Sequence, residues 1–242
     1  MERQQSENGQ RVEELRSLNV RLGLDIEDLA LLDQALTHAS SLPETAQSVV
    51  DYEPLEFLGD AVLGLAVAHY LYEHAPEHTP GEYSKMRAGL VNRRCLASVA
   101  RRLDIAAAIR LGKGEELSGG RQRTALLADC IEALLGALYL DRGWEAARTY
   151  VARLFHEEFD RELSSDKVWD FKSRLQDYCQ AKRIALPDFS VVRSEGPDHK
   201  KLFEVEVVLC GKPAGRGRGS SKKEAEQNAA RAALEHEGQH FG

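Results

Sequence analysis

The 242 residues carry 32 Lys+Arg against 39 Asp+Glu, a formal net charge of -7 at pH 7, with hydrophobic residues at 43% and charged ones at 29%. These are ordinary values for a soluble globular protein, and no apolar run approaches the ~20 residues of a membrane span, so neither a membrane nor an organic cofactor is expected as a partner. The length has room for one large domain or for a medium one plus a small one, residues 1–10 lack the apolar core of a signal peptide, and Cys95, Cys130, Cys179 and Cys210 form no CxxC pair, so the expectation is a reduced, cytoplasmic protein.

Apolar residues recur at helical spacing from Val12 to Leu22 and from Ile26 to Leu36, predicting two helices with Asp25 as the candidate cap of the second. Leu42 to Val50 is polar and contains Pro43, which predicts a surface loop. The next stretch, Glu53 to Leu71, is nearly apolar, a pattern that predicts a buried helix. It nevertheless carries Glu53, Glu56 and Asp60 at i, i+3 and i+7, which at ~100° per residue lie on one face. Acids near a helix start suit the macrodipole, and Pro54 suits the first position, but that leaves Asp60 unexplained. Charge on a buried helix needs a cation to offset it, a metal ion or an ion pair.

After a break at Pro76 and Pro80, a helix opens at Gly81-Glu82 and carries Ser84, Lys85, Arg87 and Asn92. Asn92 to Leu103 is amphipathic with a basic outer face, read as a solvated one. Gly112 to Arg123 predicts a flexible loop. Leu126 to Leu140 then repeats the earlier oddity, an apolar helix interrupted by Asp129 and Glu132, which at i and i+3 point the same way. Gly59 and Gly64 on the first acidic helix and Gly136 on the second are expensive in helix interiors, each by ~1 kcal/mol against Ala, a penalty accepted where helices approach closely. If the helices cross with acids facing, carboxylates converge with no Cys or His ligand, and all-oxygen coordination selects Mg²⁺, with Mn²⁺ as its substitute, over zinc. Such metals commonly serve phosphate chemistry. Trp144 to Leu154 predicts a closing helix, and with no strand pattern before residue 165 the first domain is expected to be all helical.

Glu162 to Lys167 is short and polar and is taken as a linker, giving domains over 10–161 and 168–238. In the tail, Asp170 to Ala181 reads as a helix, Phe189 to Arg193 and Lys201 to Cys210 as strands, and Gly211-Lys212-Pro213 as a turn into a glycine-rich strand from Ala214 to Gly219. Ser221-Lys222-Lys223-Glu224 reads as a capping box opening a helix with an inward stripe of Ala225, Ala229, Ala232 and Ala233. The order is α-β-β-β-α. Residues 1–167 hold 19 Lys+Arg against 28 Asp+Glu, and residues 168–242 hold 13 against 11, so the tail is the basic part. A basic appendage can deliver a polyanion to an acidic, metal-dependent body.

Leu55-Glu56-Phe57-Leu58-Gly59-Asp60-Ala61-Val62 resembles the signature of the ribonuclease III family, and Leu127-Ala128-Asp129-Cys130-Ile131-Glu132-Ala133-Leu134-Leu135-Gly136-Ala137 resembles its second acidic motif. The resemblance extends through Ala35-Leu36-Thr37-His38-Ala39-Ser40, Gly81 to Asn92 and Leu111 to Gly120, with Pro54 standing where a basic residue is usual. Lys172-Ser173-Arg174-Leu175-Gln176-Asp177, Gly196-Pro197-Asp198-His199-Lys200 and Ser221-Lys222-Lys223-Glu224-Ala225-Glu226 resemble the motifs of a double-stranded-RNA-binding domain. The resemblance implies a multidomain protein: an all-α endonuclease domain followed by a small α+β RNA-binding domain. It implies an endoribonuclease that hydrolyses double-stranded RNA by divalent-metal catalysis, acts as a homodimer, and processes ribosomal RNA precursors and some mRNAs. The products would carry 5′-phosphates, 3′-hydroxyls and short 3′ overhangs. Glu56, Asp60, Asp129 and Glu132 would hold the metals, with Asp60 and Glu132 the catalytic pair, and Glu53 and Glu82 would line the cleft. Lys172, Ser173, Gln176, Asp177, His199, Ser221, Lys222 and Lys223 would contact RNA, Phe57 would sit at the dimer interface, and His38 would be structural. The rival readings are a double-stranded-RNA-binding protein without catalysis and a metallohydrolase of small phosphates, which leaves the tail unexplained.

Overall fold

The computed structural model describes residues 2–42, 50–163, 170–197 and 201–238. The chain forms two compact units, Met1–Ser165 and Asp166–Gly242. The named elements of the first are all helices, α1 (Glu2–Leu22), α2 (Leu29–Ala35), α3 (Glu53–His74), α4 (Pro80–Leu90), α5 (Arg93–Arg102), α6 (Lys113–Leu117), α7 (Thr124–Leu154) and α8 (His156–Leu163), with short 3₁₀ turns between several of them and an isolated bridge joining Thr37 to Arg110.

Local chemistry sets the helix ends. Asp28, not Asp25, caps α2, its carboxylate accepting from Ala30 N at 2.8 Å, while Asp25 is spent on a left-handed turn at φ 56°. Thr79 and Glu82 close a full capping box at the start of α4. Asn92 caps α5 by accepting from Cys95 N at 3.0 Å. The expected break between the second acidic helix and the closing helix is a kink inside α7 at Gly143, where φ is 78°. Helix α8 runs to Leu163, so Glu162 and Leu163 belong to the helical unit and not to a linker. The reason is packing, since the Glu162 carboxylate lies against Gly89 of α4. The rest of the expected linker, and most of the loop expected after Leu42, fall outside the described residues.

The core is organised around the crossing of α3 and α7. A Cβ on Gly59 would stand 1.7 Å from the carbonyl oxygen of Glu132, and one on Gly136 would stand 2.2 Å from that of Leu55. Backbone therefore lies on backbone, and only glycine fits at either position. Gly64 has no such reason, as nothing lies within 4 Å of its Cβ position. Helix α3 is not buried all round as its composition predicts. Leu55, Val62, Leu63, Ala66, Val67 and Leu71 face the core, but Phe57 is 82% exposed, Leu65 57% and Tyr72 74%. With 22 residues and a most apolar window of mean hydropathy 1.2, α3 does reach membrane-spanning length and composition, contrary to the sequence reading. Its packing against α7 and its four acids, Glu53, Glu56, Asp60 and Glu73, account for it as a core helix.

The second unit follows the expected α-β-β-β-α order: α9 (Phe171–Ala181), β1 (Asp188–Glu195), β2 (Leu202–Leu209), β3 (Lys212–Gly219) and α10 (Lys222–His236). The strands form one antiparallel sheet in the order β1-β2-β3. The β2–β3 turn is Cys210-Gly211, both at positive φ, and not Gly211-Lys212-Pro213. Pro213 lies inside β3, an edge strand that tolerates a residue without a donor. Gly215, Gly217 and Gly219 are required because a Cβ at each would come within 2.1–2.6 Å of the backbone of α10. Ala225, Ala229, Ala230 and Ala233 are the buried stripe of that helix, with Ala230 taking the place expected for Ala232, and they pack with Phe171, Leu175, Cys179, Val205 and Val207.

Candidate active site

The close α3–α7 crossing decides where the acids go. Glu56, one turn before Gly59, is brought against Asp129 and Glu132 of α7, and each of the three offers a carboxylate oxygen within 4.8 Å of the others. Asp60, expected as the fourth of the group, lines the same cavity but stands outside this tight trio and is exposed. The cavity, about 750 Å³, is lined also by Tyr52, Glu53, Phe57, Val91, Asn92 and Arg93. Glu82 does not line it. That side chain is fully buried at the start of α4, where its carboxylate accepts from Thr79 N at 2.7 Å and Thr79 Oγ1 at 3.0 Å, so the capping role supersedes the expected cleft role.

The acids raise one another's proton affinity. Burial pushes the Glu132 carboxyl up to about 7, reinforced by the charges of Asp60, Asp129 and Glu56 and opposed by Arg93. Glu56 is raised for the same reason, burial first and then Asp129 and Glu53. Burial also raises Asp129, against the charge of Arg93 and a hydrogen bond donated by the Tyr52 hydroxyl. Five carboxylates thus share one cavity with one arginine. Their oxygens, with no sulfur or nitrogen donor among them, make a donor set that fits a hard divalent cation.

Two lining residues were invisible to sequence reasoning. Tyr52 is buried, with its backbone N–H donating to Thr37 O at 3.0 Å and its carbonyl accepting from Glu56 N at 2.8 Å. It thereby joins the start of α3 to Asp129 on α7. Arg93 belongs to the basic face read as merely solvated, yet its charge acts on Glu56, Asp129 and Glu132. His38 packs by Tyr52 with ring centroids 5.8 Å apart and holds the Ser40 hydroxyl through Nδ1 at 2.7 Å, as a structural histidine does.

In the second unit the expected RNA contacts divide. Lys222 and Lys223 stand exposed in the first turn of α10, where the helix dipole favours anions. Ser221 caps that helix by accepting from Glu224 N at 3.2 Å, but Glu224 reaches back to Ser220 and not to Ser221, so the box is only half formed. Ser173 and Asp177 are exposed and Gln176 half-buried on α9, opposite the buried Phe171, Leu175 and Cys179. The Lys172 ammonium is engaged within the unit, 2.7 Å from Glu226 and 4.7 Å above the Phe189 ring. It ties the starts of α9 and α10 together, as does Gln227 donating to Asp170 at 3.0 Å. His199 lies outside the described residues.

Comparison with known proteins agrees with this division. Residues 28–158 match the family model "Ribonuclease-III-like", and residues 171–237 match "Double-stranded RNA binding motif". The chain is 43% identical over 225 residues to Ribonuclease 3 of Desulforamulus reducens, covering 93% of this chain and 92% of that protein. To Ribonuclease 3 of Thermobifida fusca it is 44% identical over 220 residues, 91% of this chain and 90% of the relative. Among solved structures, the nuclease domain of ribonuclease III from Campylobacter jejuni, studied for structural flexibility in a region involved in dimer formation, aligns with a TM-score of 0.55 at 38% identity, over 59% of this chain and 96% of that one. With the carboxylate cluster at the centre of its helical unit and the RNA-binding motif in its second unit, the chain belongs to the ribonuclease III family of double-stranded-RNA endoribonucleases.

Proposed function

We propose that the chain cuts both strands of duplex RNA as a homodimer, using Mg²⁺, for which Mn²⁺ substitutes, and leaves 5′-phosphate and 3′-hydroxyl ends with short 3′ overhangs. The observation that carries the reading is the trio of Glu56, Asp129 and Glu132, with oxygens within 4.8 Å and too little positive charge around them. In this reading these three and Asp60 hold the metal, with Asp60 and Glu132 closest to the chemistry. When bound, a hard divalent cation supplies the charge that an in-line displacement at phosphorus demands at its attacking and leaving oxygens. Glu53 at the mouth adds negative potential, and Tyr52 orients Asp129 so that one oxygen stays turned toward its neighbours. Ser173, Gln176, Asp177, Ser221, Lys222, Lys223 and His199 are the proposed duplex contacts, reading A-form shape across the minor groove. Lys172 supports them from within.

For the dimer, Phe57, Ala61, Leu65 and Tyr72 recur along one uncovered face of α3, so one substitution there would be felt twice across a two-fold axis. Ribosomal RNA precursors and some mRNAs are the proposed substrates. The cytoplasm is the proposed compartment, which suits four free cysteines. The domain limits proposed are 10–161 and 168–238, the first extended by the observed helices to include residues 2–9 and 162–163. The test is a gel: purified protein with long duplex RNA, with single-stranded RNA of equal length beside it, in Mg²⁺ or EDTA. Cutting of the duplex alone, abolished by EDTA, is expected. Binding without cutting would favour the non-catalytic reading.

A further inference from the structure

Arg93 is the cation on the wall of the acidic cavity. It begins α5 directly after Asn92, whose side chain accepts from Cys95 N at 3.0 Å and donates to Ala88 O at 3.2 Å. The end of α4 and the start of α5 are thereby latched, and the backbone of Arg93 is fixed at the cavity wall. Its side chain, however, is exposed, and no hydrogen bond or ion pair joins it to another described residue. Several arginines of the helical unit that have acids or carbonyls within reach do engage them. Arg11 pairs with Asp33 at 2.7 Å, Arg102 with Glu158 at 2.8 Å, and Arg153 donates to the carbonyl of Gly23 at 2.7 Å.

An arginine kept only to neutralise acids is expected to close a bidentate pair with one of them, because that geometry is the strong one. Arg93 faces Glu56, Asp129 and Glu132 and closes none. Its planar fork of donors is therefore open at the rim of the cavity that the reading above assigns to the cut phosphodiester. A polyanion arriving there meets five carboxylates, and Arg93 is the side chain on the cavity wall that attracts it. Resting on that reading, we propose that Arg93 is a substrate-binding residue whose guanidinium takes a phosphate of the duplex backbone beside the bond to be cut.

The test uses the full chain, as wild type, Arg93→Ala and Arg93→Lys, with labelled duplex RNA and Mg²⁺ over a series of salt concentrations. Mn²⁺ binding without RNA is followed in parallel by electron paramagnetic resonance. Loss of one charge-assisted phosphate contact is expected to raise KM about tenfold in Arg93→Ala, and to make the dependence of log KM on log salt shallower by about one. Arg93→Lys recovers part of the loss, and Mn²⁺ binds Arg93→Ala as tightly as wild type or more so. A KM within about twofold of wild type with an unchanged salt slope overturns the proposal. So does a defect that vanishes at saturating metal, which would make Arg93 a counter-ion of the acids alone. A wild-type chain that leaves duplex RNA intact would overturn the reading of the site instead. In that event the salt slope of duplex binding by wild type and Arg93→Ala still decides whether the phosphate contact exists.

Discussion

Gly59→Ala tests whether the backbone crossing of α3 and α7 builds the site. The new Cβ would lie 1.7 Å from the carbonyl oxygen of Glu132, where ordinary contact begins at 3.4 Å, so the helices must part by the difference, 1.7 Å. Overpacking of this kind destabilises by about 1–3 kcal/mol, and the better helix propensity of alanine returns about 1 kcal/mol of it. The net loss of about 0–2 kcal/mol lowers the melting temperature of a unit this size by up to roughly 8 °C. The functional effect is larger, because the same shift carries Glu56 away from Asp129 and Glu132, now within 4.8 Å. Mn²⁺ affinity should fall by about tenfold or more, as it does when the groups that orient ligands are disturbed. The control is Gly114→Ala in α6, where nothing lies within 4 Å of the Cβ position, and stability there should be unchanged or slightly raised. Thermal unfolding followed by circular dichroism and Mn²⁺ titration followed by paramagnetic resonance decide it. A Gly59→Ala protein with the melting temperature and the Mn²⁺ affinity of wild type would refute the reasoning.

Phe57→Ala should weaken dimerisation without a loss of core packing, since the ring is 82% exposed in the single chain; sedimentation against concentration checks this, and an undiminished dimer would remove Phe57 from the interface. Residues 1–167 alone should stay folded but cut poorly at physiological salt and better at low salt or with Mn²⁺, because the phosphate contacts of Lys222 and Lys223 are lost; cleavage rates equal to the full chain at high salt would contradict it. In the metal-free protein Glu132 keeps its proton up to about 7, against 4.5 ordinarily, so the unfolded chain releases that proton first as pH rises. Stability from this group is therefore lost between pH 4.5 and 7, and the advantage of Glu132→Gln over wild type should grow across that interval in thermal melts with EDTA.

What could be read from the chain follows from how local each cause is. The acid spacing on α3 and α7 and the α-β-β-β-α order rest on helix and strand periods, which sequence carries directly, whereas the cost of a helix glycine marked Gly59 and Gly136 but equally Gly64, which has no neighbour to explain it. Glu82 misled because an acid three residues into a helix is equally a cap, and Thr79 before it is the partner that decides. Tyr52 and Arg93 escaped because each reaches the site from an element end, where only the tertiary arrangement says which way a side chain turns. Of the exposed face of α3 only Phe57 was anticipated, and the rest escaped for the complementary reason. Phe57, Leu65 and Tyr72 are as apolar as the residues opposite them, and composition does not distinguish a core from a surface waiting for a second copy.

If Glu56, Asp129 and Glu132 form the metal site that performs the cleavage, losing one of them should stop the chemistry while the duplex contacts of the second unit persist. The most direct measurement pairs two assays on one preparation of Glu132→Ala: cleavage of long duplex RNA with saturating Mg²⁺, and a gel shift with the same duplex. Abolished cleavage with duplex affinity close to wild type is expected, since the substitution removes a ligand from the cavity and leaves Lys222 and Lys223 in place. Undiminished cutting would contradict the account, because no rearrangement of the remaining acids is allowed for in it.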